Sequence, residues 1–128
     1  MNVKDAAEVT GLPAKTIRYY EEVGLVTPAR SGNGYRVYQP KDIQKLAFVG
    51  RARGLGFALD DCRKLLSLYE DQSRSSADVK ALAKTHVAEI NLKLKELRAI
   101  KAELNRLVGA CHGDDRPDCP IVEGLAGK

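Results

Sequence analysis

Val3, Ala6, Ala7 and Val9 fall at the spacing of one helical face, which predicts a short helix over Val3–Thr10. Thr10-Gly11-Leu12-Pro13 breaks it, because Gly supplies a turn and Pro suits the first position of a new helix. A second helix is expected from Ala14 to Val23, stopping at Gly24, with Ile17 and Tyr20 on its inner face. Two short helices joined by a Gly-containing turn form a helix-turn-helix pattern. In the following stretch, Tyr35, Val37 and Tyr38 are good strand residues, and Asn33-Gly34 signals a hairpin whose two turn residues both take positive φ. A small β-ribbon, or wing, is therefore predicted directly after the two helices.

Pro40 with Asp42 opens a third helix to about Arg53, and Gly54-Leu55-Gly56-Phe57 interrupts it. A fourth helix, Leu59–Glu70, begins with Asp60-Asp61, whose charges favour the positive end of the helix dipole. Asp71 to Ser76 is a polar link. From Ala77 to Val108 there is neither Gly nor Pro, and Ala83, Val87, Ile90, Leu94, Leu97, Lys101, Leu104 and Val108 follow the alternating four-three spacing of a coiled-coil seam. Only Lys101 departs from it, and Ile100 and Leu107 keep the stripe apolar. A helix of this extent is roughly 45–50 Å long, too long for a domain of about 75 residues to cover, so the seam calls for a second copy. Gly109 is expected to end it. Ala110 to Pro120 then reads as a loop and Ile121–Leu125 as one short apolar turn.

Composition narrows the class. The 128 residues suffice for one domain and an extension. No apolar run approaches the twenty residues of a membrane span. The Met1-Asn2-Val3-Lys4-Asp5 start carries no apolar signal segment, so a reducing cytoplasm is expected, with the three cysteines as thiols. Residues 1–57 hold nine Lys/Arg against five Asp/Glu, whereas residues 58–128 hold twelve of each. The net charge of +4 thus lies wholly in the helix-turn-helix half. A basic module beside a neutral one fits contact with a polyanion, although charge alone fits an ordinary basic protein equally well.

Two groups of residues carry chemistry. Lys15, Thr16, Arg18 and Tyr19 occupy the first half of the second helix, the part that such units present to the major groove. Arg bonds a guanine edge bidentately, while Lys, Thr and Tyr reach phosphates or thymine methyls. Arg30, Tyr35 and Arg36 lie on the wing and Arg53 at the end of the third helix, each within the range of backbone contacts. The second group is Cys111 and Cys119, with seven residues between them in a loop with Gly and Pro, so that both sulfurs can turn to one point. Soft thiolates suit copper(I) and also bind zinc(II). Structural zinc wants four ligands, and the loop offers two Cys and His112, with Asp114, Asp115 and Asp118 as extras. His112 is left open as a third ligand, Cys62 is expected to be a buried small apolar residue, and His86 lies beside the seam. No paired-carboxylate, Ser-His or phosphate-loop arrangement exists, so no enzyme is expected.

Thr16-Ile17-Arg18-Tyr19-Tyr20-Glu21-Glu22-Val23-Gly24-Leu25-Val26, followed by Asn33-Gly34-Tyr35-Arg36-Val37-Tyr38, resembles the N-terminal signature of the MerR family of transcriptional regulators. The Cys111–Cys119 loop with its Cys-Pro-Ile ending is similar to that of the copper-efflux regulators in that family, the CueR/HmrR type. The resemblance implies a mostly α fold: a winged helix-turn-helix DNA-binding domain with a two-helix connector (1–70), a linker and long antiparallel coiled-coil dimerisation helix (71–109), and a C-terminal metal-binding loop with a short helix (110–128). It implies a homodimer on double-stranded promoter DNA, acting with RNA polymerase. The resemblance also implies a linear two-thiolate site for copper(I), silver(I) or gold(I), which would bias the choice between two dimer shapes and so the distortion of the DNA. In divalent-metal relatives a cysteine at the position of Ser76 supplies a ligand from the partner subunit. Its absence removes a ligand, Lys80 stands where it helps offset a bis-thiolate charge, and Ser76 also reads as a helix N-cap. A zinc, cadmium or lead sensor is the rival within the class, and a metal-buffering protein the rival outside it.

Overall fold

The computed structural model describes residues 1–127. In order along the chain are α1 (Val3–Thr10), α2 (Ala14–Glu22), β1 (Ala29–Arg30), β2 (Arg36–Val37), α3 (Pro40–Gly54), α4 (Leu59–Glu70), α5 (Ser76–Ala110) and α6 (Pro120–Leu125). Two compact units divide it, Met1–Leu82 and the residues from Ala83 onward.

The first unit is built from well-terminated short helices. Asn2 caps α1 by accepting the Asp5 amide at 2.8 Å, and Gly11, at φ 74°, closes it in the left-handed region that favours glycine. Pro13 is the N-cap of α2, one position earlier than expected, and its extended backbone turns the chain between the two helices. Ile17 and Tyr20 are buried, as their spacing requires. Asp42 accepts the Gln39 amide at 2.8 Å and fixes the start of α3, with Pro40 at its first position. Leu46, Val49 and Ala52 form the inner stripe of α3 and meet Ala6, Ile17, Val26, Tyr38, Phe57, Cys62 and Leu66 in one core. A Cβ on Gly50 would stand 3.1 Å from Leu12 Cδ2, so a residue without a side chain lets α3 approach the α1–α2 turn. Arg63 of α4 donates to the Val23 carbonyl at 2.7 Å and ties α4 to the end of α2. Phe48 and Tyr69 stack with ring centres 4.7 Å apart, joining α3 to α4.

The wing is a two-stranded antiparallel ribbon with Ala29 opposite Val37 and Arg30 opposite Arg36. Its turn differs from the expected two-residue form. Among the described residues no non-glycine has positive φ, so Asn33 does not, while Gly34 lies at 85°. Gly34 donates to the Ser31 carbonyl at 2.9 Å and Ser31 to the Tyr35 carbonyl at 2.7 Å. This is a three-residue loop of the kind that ends in one left-handed glycine.

Helix α5 is 35 residues long, or about 52 Å at 1.5 Å per residue. It passes through Gly109, contrary to expectation, and the Cys111 amide still bonds the Leu107 and Val108 carbonyls. A glycine inside a helix costs only about 1 kcal/mol relative to alanine, too little to stop a long helix by itself. Its start also corrects the reading of Ser76 as the cap. Ser75 Oγ accepts the Ala77 amide at 3.2 Å, and Ser76 is the first helical residue. Val87, Ile90, Leu94, Leu97, Ile100, Leu104 and Val108 are all exposed along the helix, each at 38% or more.

Candidate metal centre and DNA-reading surface

Cys111 follows the last turn of α5 and Cys119 directly precedes α6. Between them Gly113 turns at φ 68°, and Asp114 accepts the Arg116 backbone amide at 3.0 Å and its Nε at 2.8 Å. These local bonds fold the loop back on itself and bring the two Sγ atoms to 3.7 Å. Pro120 starts α6, and a Cβ added to Gly124 would stand 3.6 Å from Leu107 Cδ2, so α6 lies beside the last turns of α5. The backbone amide of Val122, helped by the Cys111 thiol, holds the Cys119 thiol below the usual range, which favours thiolate. Both cysteines are free thiols and partly exposed.

The donor set fits a soft cation. Two sulfurs 3.7 Å apart can be bridged by one ion, since bonds of about 2.3 Å reach across as much as roughly 4.6 Å. Asp114, named above as an extra donor, is taken up by Arg116, which holds its carboxyl below the ordinary value. His112 is exposed, as are Asp115 and Asp118. Among the described residues no three His, Cys, Asp or Glu side chains gather into a metal-binding group. Ser76 and Lys80 stand exposed on the first turns of α5, in the first unit, whereas the thiol pair belongs to the second. Cys62 is buried, its thiol 3.7 Å from the Phe57 carbonyl and pushed up by burial. His86 is buried too, with Glu89 at 3.6 Å from its Nδ1.

On the first unit, burial of Ile17 and Tyr20 turns the other face of α2 outward. Lys15, Arg18 and Tyr19 are exposed and Thr16 is half-buried. Tyr35 is exposed at the wing turn. Three of the basic residues named from the sequence have partners in the free chain. Arg53 donates to the Phe57 carbonyl at 2.9 Å, Arg36 pairs with Glu21, and Arg30 approaches Glu21 at 3.5 Å. Glu21 was passed over in the sequence, where it counts only as one more acidic residue. A carboxylate one turn after the core residue Ile17, on a helix followed by a ribbon with two arginines, is the signal that would have found it.

Residues 1–68 match the family described as MerR HTH family regulatory protein, and residues 43–107 match the one described as MerR, DNA binding. The chain belongs to the MerR family. It is 56% identical to the HTH-type transcriptional regulator HmrR of Rhizobium leguminosarum bv. viciae over 98% of each chain. Against the HTH-type transcriptional regulator CueR of Escherichia coli it is 47% identical over 99% of this chain and 95% of the other. A lead(II)-bound transcription regulator of Ralstonia metallidurans superposes with a TM-score of 0.82 at 33% identity, covering 98% of each chain. This MerR-family chain is thus a metal-responsive, DNA-binding transcription regulator and not an enzyme. No helix among the described residues is long and apolar enough to cross a membrane.

Proposed function

We propose that the chain is a copper(I)-responsive regulator, also open to silver(I) and gold(I), which binds promoter DNA as a cytoplasmic homodimer. In this reading it activates copper-efflux genes through RNA polymerase by distorting the DNA on metal binding. The observation that carries it is the pair of Sγ atoms 3.7 Å apart without a third donor gathered beside them among the described residues. Two sulfurs alone satisfy a soft monovalent ion that accepts low coordination, whereas a divalent ion asks for more ligands. The similarity to copper-efflux regulators supports the same choice. Cys111 and Cys119 would hold the soft cation, whose charge would offset part of that of their thiolates.

The chain's own residues supply the rest. Cys111 and Cys119 link the end of α5 to the start of α6, so drawing the sulfurs together fixes α6 relative to α5. Lys80 is the cation that would offset residual negative charge, and Ser76 withholds the thiol that a divalent site would use. The exposed stripe of α5 pairs two copies. Lys15, Thr16, Arg18 and Tyr19 read the major groove, while Arg30, Tyr35, Arg36 and Arg53 hold the backbone. A dimer that neutralises on the order of ten phosphates shows a log–log salt slope near −9.

The lead(II)-bound relative favours a second reading, a divalent-metal sensor. Competitive titration of the reduced protein with copper(I) and zinc(II), under a thiol buffer, separates the two. Copper(I) is expected to bind preferentially, and Cys111→Ser or Cys119→Ser to abolish induction with DNA binding intact. Preferential zinc(II) binding with no copper response would overturn the assignment. Loss of DNA binding in the serine variants would make the thiols structural instead.

A further inference from the structure

Glu21 has no task in the reading above, yet two wing cations converge on it. It lies in the last turn of α2 with its side chain 17% exposed. Arg36 Nε donates to its Oε2, and an Arg30 guanidinium nitrogen stands 3.5 Å from its Oε1. Arg30 and Arg36 are opposite each other in the ribbon, so one carboxylate gathers a cross-strand pair. Arg30 also donates to the Gly34 carbonyl at 3.1 Å, which ties the turn to the same cluster. Beneath lies the buried Tyr38, whose hydroxyl has no hydrogen-bond partner among the described residues.

We propose that Glu21 is a positioning residue for DNA binding, which holds Arg30 and Arg36 aligned with α2 and withholds part of their charge from arbitrary phosphates. The inference rests on the reading of Arg30 and Arg36 as DNA contacts. Phosphate contacts carry no sequence information, so uncommitted wing arginines would strengthen binding to every duplex alike. A carboxylate shared by both guanidiniums cancels one unit of their charge and reduces the counterions released by about one per protomer. The same carboxylate fixes the wing relative to the helix that reads bases. Its benefit is therefore confined to the docked complex in which both engage. Glu21 lowers affinity for any DNA and raises the distinction between the right site and the rest.

Glu21→Gln keeps the shape and removes the charge. Two duplexes serve as probes: a dyad-symmetric one selected by the wild-type protein from a randomised pool, and a scrambled one of the same composition. The salt slope on the scrambled duplex is expected to steepen by about 0.9 per bound protomer. The ratio of selected to scrambled affinity is expected to fall by on the order of tenfold. Glu22→Gln, which removes the same charge from the exposed neighbour, should leave the ratio in place. Equal losses on both duplexes with an unchanged slope would reduce Glu21 to a fold-holding role and overturn the proposal. So would an equal effect of Glu22→Gln. If Glu21→Gln does not fold, the nitrogen-15 signal of Arg36 Nε in the wild-type protein decides. Slow proton exchange in the free protein supports the clamp, and exchange as fast as a solvated arginine contradicts it. Arg36→Ala is the separate control, because unchanged affinity and slope there would mean that the wing reading itself fails.

Discussion

Within the first 82 residues most of the large apolar side chains are hidden from water by the chain itself. Ile17 of α2, Leu46 and Val49 of α3, and Tyr38 just after β2 are almost wholly buried. The helix beyond shows the opposite pattern, with seven large apolar residues of one stripe exposed. Both regions are amphipathic by sequence, yet only one finds its partner surface in the same chain. A fully buried Leu or Ile contributes about 1.5–3 kcal/mol, so the first region can stabilise itself, while the stripe of the second is the surface that the proposed dimer would bury. The contrast teaches that, with the proposed dimer, the two halves would answer to different variables, the first to its internal packing and the second to protein concentration.

The largest break is expected from charges placed in the stripe. Leu97→Glu with Leu104→Glu should convert a dimer to a monomer in sedimentation, with an uncompensated buried charge costing about 3–5 kcal/mol at each site. A variant that stays dimeric would show that the stripe is not the contact. Leu46→Ala should destabilise the first region by about 2–5 kcal/mol in chemical denaturation and leave the subunit stoichiometry alone. A smaller effect follows for the cap of α5. Ser75→Ala should lower stability by about 1 kcal/mol and Ser76→Ala by much less, and equal losses would mean that both serines share the cap. Thiol chemistry sharpens the contrast without altering stability. Ellman's reagent should titrate two thiols promptly in the native protein and the third, Cys62, only on unfolding. Three prompt thiols would show that the core opens around Cys62.

Much of this architecture was legible because punctuation in the sequence is local. Gly11, Gly24, Pro40 and Asp42 act on their own neighbours, and the helices begin and end close to them. The misreadings occur where two local choices are nearly equal. Ser75 and Ser76 are interchangeable as caps on paper, and the backbone uses the first. Gly32 offers a three-residue loop that competes with Asn33-Gly34 alone. Gly109 looked like a stop, but its cost is small against a helix continued by the Cys111 amide. The loop that closes the thiol pair was readable from Gly113 and the cysteine spacing. The capture of Asp114 by Arg116, and that of Arg30 and Arg36 by Glu21, was not, since several charged partners were available and only the folded chain selects among them.

The account turns on two sulfur atoms acting alone on one soft ion. X-ray absorption of the copper(I)-loaded wild-type protein at the metal edge tests this most directly. The prediction is a first shell of sulfur only, two per metal, lost in Cys111→Ser. A shell dominated by nitrogen or oxygen, or one with three or more donors, would contradict it.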